Sequence, residues 1–317
     1  LIEGIRIIRA GGKYSVYLRA REYYKKYFSK ENFDVIIDEI NTVPFFTPLF
    51  AKKDEILALI HQLAREYWFY ETQAPLNLLG YYILEKRFLK NYVNIPTITV
   101  SESTKKDLKE LGFKKIFIVY NGINVKPLNE LPKKSKNPSI VYVGRMKKVK
   151  KPQDVLRAFE IVKKEIKNSQ LWMIGEGYLR KRLEKEARKK SIKDVRFFGY
   201  LNERMKNELV KKAWVLVAPG VREGWGQVVS DANALGTPCI SYNVPGLRDS
   251  IVDGKTGLLV KEDGNVETLA KAIINILTNE KLRKKMSENA LKWAKKFSWD
   301  KSAKEFLRII KGVVSEK

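Results

Sequence analysis

Two stretches of this sequence place charged side chains where loops could hold a ligand. Residues 219–232 read Pro-Gly-Val-Arg-Glu-Gly-Trp-Gly-Gln-Val-Val-Ser-Asp-Ala. Glu223 and Asp231 stand eight apart, the first in a glycine-flanked loop and the second two turns into a predicted helix, so both can face one cleft. Paired carboxylates could serve acid and base steps on a glycosidic bond, hold a cation, or accept hydrogen bonds from sugar hydroxyls. Gly224 and Gly226 would let a ligand approach the backbone closely. A plainer alternative puts Glu223 at a helix N-terminus and Asp231 on a solvated face.

The second stretch is Gly144-Arg145-Met146-Lys147-Lys148-Val149-Lys150-Lys151-Pro152. Gly144 permits a tight turn, and Arg145 and Lys150 then converge near a helix that Pro152 can open. Two cations beside a helix N-terminus suit a pyrophosphate, because the helix dipole and its free N–H groups add to their charge. On so basic a chain such a run also arises by chance. His61 is the only histidine and Cys239 the only cysteine, which excludes an internal disulfide and a zinc site of ordinary type. Cys239 falls in a predicted buried strand and reads as core.

The frame for these residues is an alternation of strand and helix periods. Short β-branched or aromatic runs occupy residues 5–8, 33–38, 56–60, 96–100 and 116–120, and Ser101 can cap a helix that Gly112 ends, with Leu108 and Leu111 on its buried stripe. Residues 125–138 hold three prolines and a Lys-Lys-Ser-Lys run, which reads as a linker. Beyond it the pattern predicts strands at 139–143, 170–174, 195–198, 214–218 and 238–242. Helices are predicted between them at 152–166, 178–190, 203–212 and 226–235, and then at 266–277, 280–296 and 299–311. Strand–helix repeats of this length imply a parallel sheet covered on both faces. Ligands of such sheets bind outside the carboxyl ends of the strands, so the loops after Val143, Ile174, Ala218 and Tyr242 are the informative ones.

Composition narrows the class without choosing a function. With 317 residues and 44% apolar content the chain can bury two ordinary cores and is not disordered. No apolar run reaches the roughly 18 residues of a membrane span. The formal charge is +26, and residues 1–120 hold only 19 basic against 14 acidic residues, so most of the excess lies downstream. Much of it falls as Lys-Lys pairs between helical apolar positions, as at Lys163-Lys164, Lys189-Lys190 and Lys284-Lys285, the pattern of a solvated helix face. The cations are dispersed rather than gathered in a stripe, and no nucleic-acid motif accompanies them, so no nucleic-acid partner is expected.

Taken together, six blocks of the second half resemble the family 4 glycosyltransferases, retaining enzymes of the GT-B class. The blocks are Gly144-Arg145…Lys150, Gly175-Glu176-Gly177, Glu223-Gly224-Trp225-Gly226…Asp231-Ala232, Gly236-Thr237-Pro238, Pro245-Gly246-Leu247 and Asp253-Gly254…Thr256-Gly257-Leu258-Leu259. The resemblance covers about residues 139–300. It implies an α/β fold of two Rossmann-like domains facing a cleft. Residues 1–131 would form the acceptor-side domain and 132–296 the nucleotide-sugar domain, with 297–317 a terminal helix packing back on the first. The first strand and its glycine loop are expected to be missing from the first domain, because too few strands precede residue 33; Gly11-Gly12 reads as a later turn.

The resemblance also implies roles. Arg145 and Lys150 match the pair that holds the donor diphosphate, with Gly144 at the turn. Glu223 matches the carboxylate that contacts the donor sugar. The amides near Gly226 and Gln227, behind Gly224 and Trp225, lie by the phosphate. Asp231 stands where most relatives carry a ribose-binding Glu, one methylene longer. Gly175 and Glu176 shape the base pocket, unless they form only a tight turn. His61 matches a histidine placed at a strand end beside the donor sugar's 6-hydroxyl. The implied reaction is metal-independent sugar transfer with retention, from a nucleotide-sugar donor to a glycan or lipid-linked acceptor, without a cofactor. A cytoplasmic protein is expected. The aromatic-rich segment 66–92 around Lys86-Arg87 reads as an acceptor groove, a peripheral membrane surface, or ordinary core and rim. A nucleotide-binding fragment without turnover and a nucleotide-sugar epimerase or phosphorylase are the alternatives.

Overall fold

In the computed structural model, which describes residues 1–52, 54–261 and 265–315, the strands form two parallel sheets. The first contains β1 (Ile36–Glu39), β2 (Ile56–Leu59), β3 (Thr97–Thr99) and β4 (Ile116–Ile118), in the order β1-β2-β3-β4. The second contains β5 (Ser139–Val143), β6 (Gln170–Ile174), β7 (Val195–Gly199), β8 (Val215–Val217), β9 (Cys239–Tyr242) and β10 (Gly257–Val260). Its order is β10-β9-β8-β5-β6-β7. Helices cover both faces of the second sheet, so its central strands carry apolar residues without alternation and every residue of β8 and β9 is buried. The expected parallel α/β architecture is present, as two Rossmann-like sheets.

The order matters for chemistry. β5 is bonded to β6 on one side and β8 on the other, so the chain leaves it in one direction and later returns to its opposite edge. The loops after β5 and β8 diverge there, and a crevice opens at the carboxyl ends of these strands.

Most expected helices appear, with their predicted punctuation. Pro152 is the first residue of helix Pro152–Glu165. Ser101 caps helix Glu102–Glu110 by accepting from the Thr104 amide at 3.2 Å. Three local differences have simple causes. Residues 5–8 form no strand: only an isolated Ile2–Ile5 bridge occurs and Ile5 and Ile7 stay exposed, because no neighbouring strand offers them a ladder. The glycines at 11 and 12 precede a helix, Val16–Lys26, that the apolar pattern did not single out. Strand β10 was not expected within its glycine-rich surroundings. It pairs with β9 because Gly257 lacks a Cβ, which would come within 2.0 Å of the Cys239 carbonyl. Cys239 itself is fully buried.

Residues 125–138 are irregular but fastened to the second sheet's layer. The Leu128 and Ser135 amides donate to Ala234 and Lys212 carbonyls, each at 2.9 Å. The Lys134 ammonium reaches the Lys211 and Gly236 carbonyls at 3.0 and 2.9 Å and the Thr237 hydroxyl at 2.9 Å. At the other end, helix Trp299–Ser315 returns to the first sheet, burying Ile309 and Val313 against Leu57, Ile98 and Val119. Residues 316 and 317 of the expected terminal helix lie outside the described residues.

Candidate active site

The loop after β5 is held from below by glycine contacts. The Gly144 amide donates to the Ile174 carbonyl at 3.0 Å and the Met146 amide to the Glu176 carbonyl at 2.8 Å. Gly175 (φ +129) and Gly177 (φ +155) lie directly under this backbone. A Cβ at Gly175 would come within 2.0 Å of the Gly144 carbonyl, and one at Gly177 within 2.4 Å of the Met146 carbonyl. Only glycine allows such an approach. The Tyr142 hydroxyl donates to the Arg145 carbonyl at 3.0 Å from above. Val149 is buried in the short helix Lys148–Lys150, which turns Lys150 toward the loop after β8.

That second loop is tied to the first by the Val221 amide, which donates to the Val149 carbonyl at 3.0 Å. The Glu223 amide donates to the Pro245 carbonyl at 3.0 Å. The Lys150 ammonium and Glu223 carboxylate form an ion pair, with side chains 21% and 19% exposed, so each remains reachable by a ligand. Gly226 (φ +84) then opens helix Gln227–Ala234. Its first N–H groups have no intrahelical partner and can receive an anion.

These elements enclose a cavity of about 350 Å³ lined by Gly144, Arg145, Lys150, Glu223, Gly226, Gln227 and Asp231, joined by Asn124, Tyr142, Lys206 and Asn207. Arg145, Lys150, Lys206, Glu223 and Asp231 supply the charged groups of its lining. Asp231 is buried and accepts from the Asn124 amide at 2.9 Å, the Asn124 side chain at 3.2 Å and the Gln227 side chain at 3.2 Å. Burial pushes the Asp231 carboxyl up, and those three hydrogen bonds oppose the shift. Among the described residues no group of three or more His, Cys, Asp or Glu side chains is arranged to hold a metal ion.

Five of the residues singled out from sequence do not line this cavity. His61 follows β2. Its carbonyl accepts from the Thr104 hydroxyl at 3.2 Å and lies against Gly224, where a Cβ would come within 2.7 Å of it. The residue also borders a second, largely apolar groove with Leu59, Ile98, Tyr120 and Trp299. Gly175 supports the Arg145 loop from beneath. Glu176 is exposed and turns its carboxylate to Arg180. Trp225 is buried, donates from Nε1 to the Ser230 hydroxyl at 2.8 Å and packs on Tyr120 and Phe297. Gly224 serves as the contact with His61.

Other residues come into view only in three dimensions. Tyr67, from the first sheet's side, points its hydroxyl at the Arg222 carbonyl at 3.3 Å. Burial raises that hydroxyl, the nearby Glu223 charge adds to the shift, and Lys150 and Arg145 oppose it. Asn124, just before the linker, carries no charge and sits in no motif, so its spacing gave no signal. Tyr67 was hidden in an aromatic-rich segment whose residues all looked alike. Arg222 lies within the charged stretch 219–232, but its partners are distant in sequence and only the fold reveals them.

Comparison with known proteins places the chain in a family and a fold. The family described as "Glycosyl transferases group 1" matches residues 127–293, and the chain belongs to that family. An uncharacterized glycosyltransferase of Methanocaldococcus jannaschii is 30% identical over 205 residues, 64% of this chain and 56% of the relative. A phosphatidyl-myo-inositol mannosyltransferase of Mycobacterium leprae is 26% identical over 231 residues, 70% of this chain and 60% of the relative. The chain thus spans less than two thirds of the length of these relatives. Among solved structures, sucrose-phosphate synthase from Thermosynechococcus elongatus superposes with a TM-score of 0.76 at 22% identity, covering 95% of this chain and 78% of that one. WaaG, a glycosyltransferase involved in lipopolysaccharide biosynthesis, gives 0.75 at 19% identity, covering 96% and 86%. At these identities the structures establish the fold, which is GT-B.

Proposed function

We propose that this chain, or the longer protein it belongs to, transfers a sugar from a nucleoside-diphosphate donor to an acceptor hydroxyl with retention at the anomeric carbon. The observation that carries the reading is the convergence of Arg145, Lys150, Glu223 and the start of helix Gln227–Ala234 on one cavity that Asp231 also lines. In this reading residues 1–131 form the acceptor side, 132–296 the donor side, and 297–317 the returning helix.

The chemistry follows from where charge develops. Breaking the anomeric C–O bond leaves negative charge on the diphosphate and oxocarbenium character on the sugar. Arg145, Lys150 and the helix N-terminus meet the departing diphosphate, the task a metal ion performs elsewhere. The acceptor oxygen attacks from the face the diphosphate leaves, and its proton passes to a diphosphate oxygen, so no separate base is required. Glu223 orients the sugar, His61 joins it only if its side chain turns toward the cavity it does not line here, and Asp231, held by Asn124, serves the ribose diol. Gly175 and Glu176, at the edge of the Arg145 loop, border the base.

Calorimetry with UDP, GDP and ADP, followed by donor consumption with and without EDTA, tests this reading. Binding of one nucleoside diphosphate, reduced tenfold or more in Lys150→Ala, is the expected result. Strict dependence of turnover on added Mg²⁺ or Mn²⁺ would remove the metal-free mechanism.

A second reading concerns the acceptor. Leu76, Leu78, Leu79, Tyr82 and Ile83 are exposed together, and Lys86, Arg87 and Lys90 follow them on the surface. Apolar side chains next to cations favour peripheral contact with an anionic lipid surface, and with it a lipid-linked acceptor. A cytoplasmic site of action belongs to the same reading. Among the described residues no helix is long and apolar enough to cross a membrane. Sedimentation with anionic but not neutral vesicles is expected; equal recovery in the supernatant with both sets this second reading aside.

A further inference from the structure

Arg222 is the residue before Glu223, yet its side chain turns away from the donor cavity. It is 5% exposed. Its guanidinium engages two carboxylates from the first sheet's side of the molecule. Nε and Nη2 donate to the two oxygens of Glu66 at 2.6 and 3.3 Å, and Nη1 donates to Asp107. The first contact is the two-pronged pairing that a planar guanidinium fixes in direction as well as distance. The neighbouring contacts agree with it. The Tyr67 hydroxyl donates to the Arg222 carbonyl, and Gly224 lies against the His61 carbonyl.

The partners are themselves anchored. Glu66 sits in the loop that carries His61, and the Glu85 carboxylate accepts the Ala64 and Arg65 amides at 2.5 and 3.0 Å, which holds that loop in place. Asp107 belongs to helix Glu102–Glu110, whose Thr104 hydroxyl holds the His61 carbonyl. A guanidinium buried this deeply is tolerable only while both carboxylates are in place, since an unpaired buried charge is strongly destabilising. The pairing therefore exists only in one relative placement of the two loops.

We infer that Arg222 is a positioning residue, a clamp that sets the register between the His61 loop and the Glu223 loop. The inference rests on the proposed transferase reading for its purpose. The clamp itself is defined by geometry alone. Because Arg222 faces away from the donor cavity, its loss should misplace the two sides of the sugar more than it weakens nucleoside-diphosphate binding.

Three variants test it: Arg222→Met, Arg222→Lys and the milder Glu66→Gln, each checked for native circular dichroism. Backbone hydrogen exchange is measured in residues 61–67 and 222–226, together with nucleoside-diphosphate affinity and donor turnover. Faster exchange in both loops at once is expected in all three, with affinity within about threefold of wild type and turnover down tenfold or more in Arg222→Met. Arg222→Lys, which keeps the charge but loses the fork, should recover only part of the turnover. Unchanged exchange in both loops of folded Arg222→Met and Glu66→Gln would overturn the clamp, as would full turnover in Arg222→Met. If the wild-type protein binds no nucleoside diphosphate, the transferase reading fails, and the exchange measurement still decides the clamp.

Discussion

Lys150 and Glu223 reach the same point from loops that follow different strands, and their ion pair lies in the lining of the cavity at the ends of β5 and β8. Neither residue is needed to bury a core, since both side chains remain partly accessible. Replacing Lys150 by Ala, or Glu223 by Gln, should leave thermal stability nearly unchanged. Donor turnover should fall tenfold or more, because a hydrogen bond to a charged group contributes roughly 1.5–3 kcal/mol. Parallel melting curves and donor-consumption assays check both halves of this expectation.

Gly175 has φ +129, and a Cβ there would come within 2.0 Å of the Gly144 carbonyl. Gly175→Ala must therefore push the Gly144–Arg145 backbone away as well as strain its own. A loss of about 1–3 kcal/mol in stability is expected, accompanied by weaker nucleoside-diphosphate binding. An unaltered melting temperature would show that the loop gives way more easily than its hydrogen bonds imply.

Asp231 is engaged by Asn124 and Gln227, which keeps its short side chain in a fixed place. Asp231→Ala leaves the Asn124 amide without its acceptor and should lower stability by about 1–3 kcal/mol. If Asp231 serves the ribose, the same variant should lose affinity for nucleoside diphosphates while binding inorganic pyrophosphate as before. Calorimetry with the two ligands separates these effects.

Burial pushes the Glu66 carboxyl up, but the hydrogen bond and charge of Arg222 outweigh it and hold the group below its ordinary value of 4.5. A carboxyl lowered in the folded state contributes stability that is present above the ordinary value and lost as pH falls through the folded one. Melting temperatures of the wild type should therefore decline more steeply below about pH 4.5 than those of Glu66→Gln, which has no proton to gain there. Parallel decline of both proteins would show that the pairing contributes nothing to stability.

Much of the second sheet and its loops was legible in the sequence because their requirements are local. The loop after β5 needs glycine at Gly175, where any Cβ would strike the Gly144 carbonyl, and a strand–helix alternation sets where such loops fall. The order of the blocks from Gly144 to Leu259 carried the rest through resemblance. Contacts between the two halves were not legible. Glu66, Tyr67, Asp107 and Asn124 lie 100 residues or more from their partners Arg222 and Asp231, and no periodicity records a pairing of that kind. Strand β10 escaped notice for a different reason: its glycine serves close packing against Cys239, which looks like a turn on paper.

Lys134 gives the connection between the sheets an unexpected stiffness. With its amine pinned to three oxygens of the second layer, and the amides of Leu128 and Ser135 bonded there too, residues 128–135 travel with that layer like a strut. Any opening or shutting of the two halves must then pivot elsewhere. The crossing where Gly122 meets Trp299, with no room for even a methyl group between them, is where both chain passages come together and where such a swing would be felt.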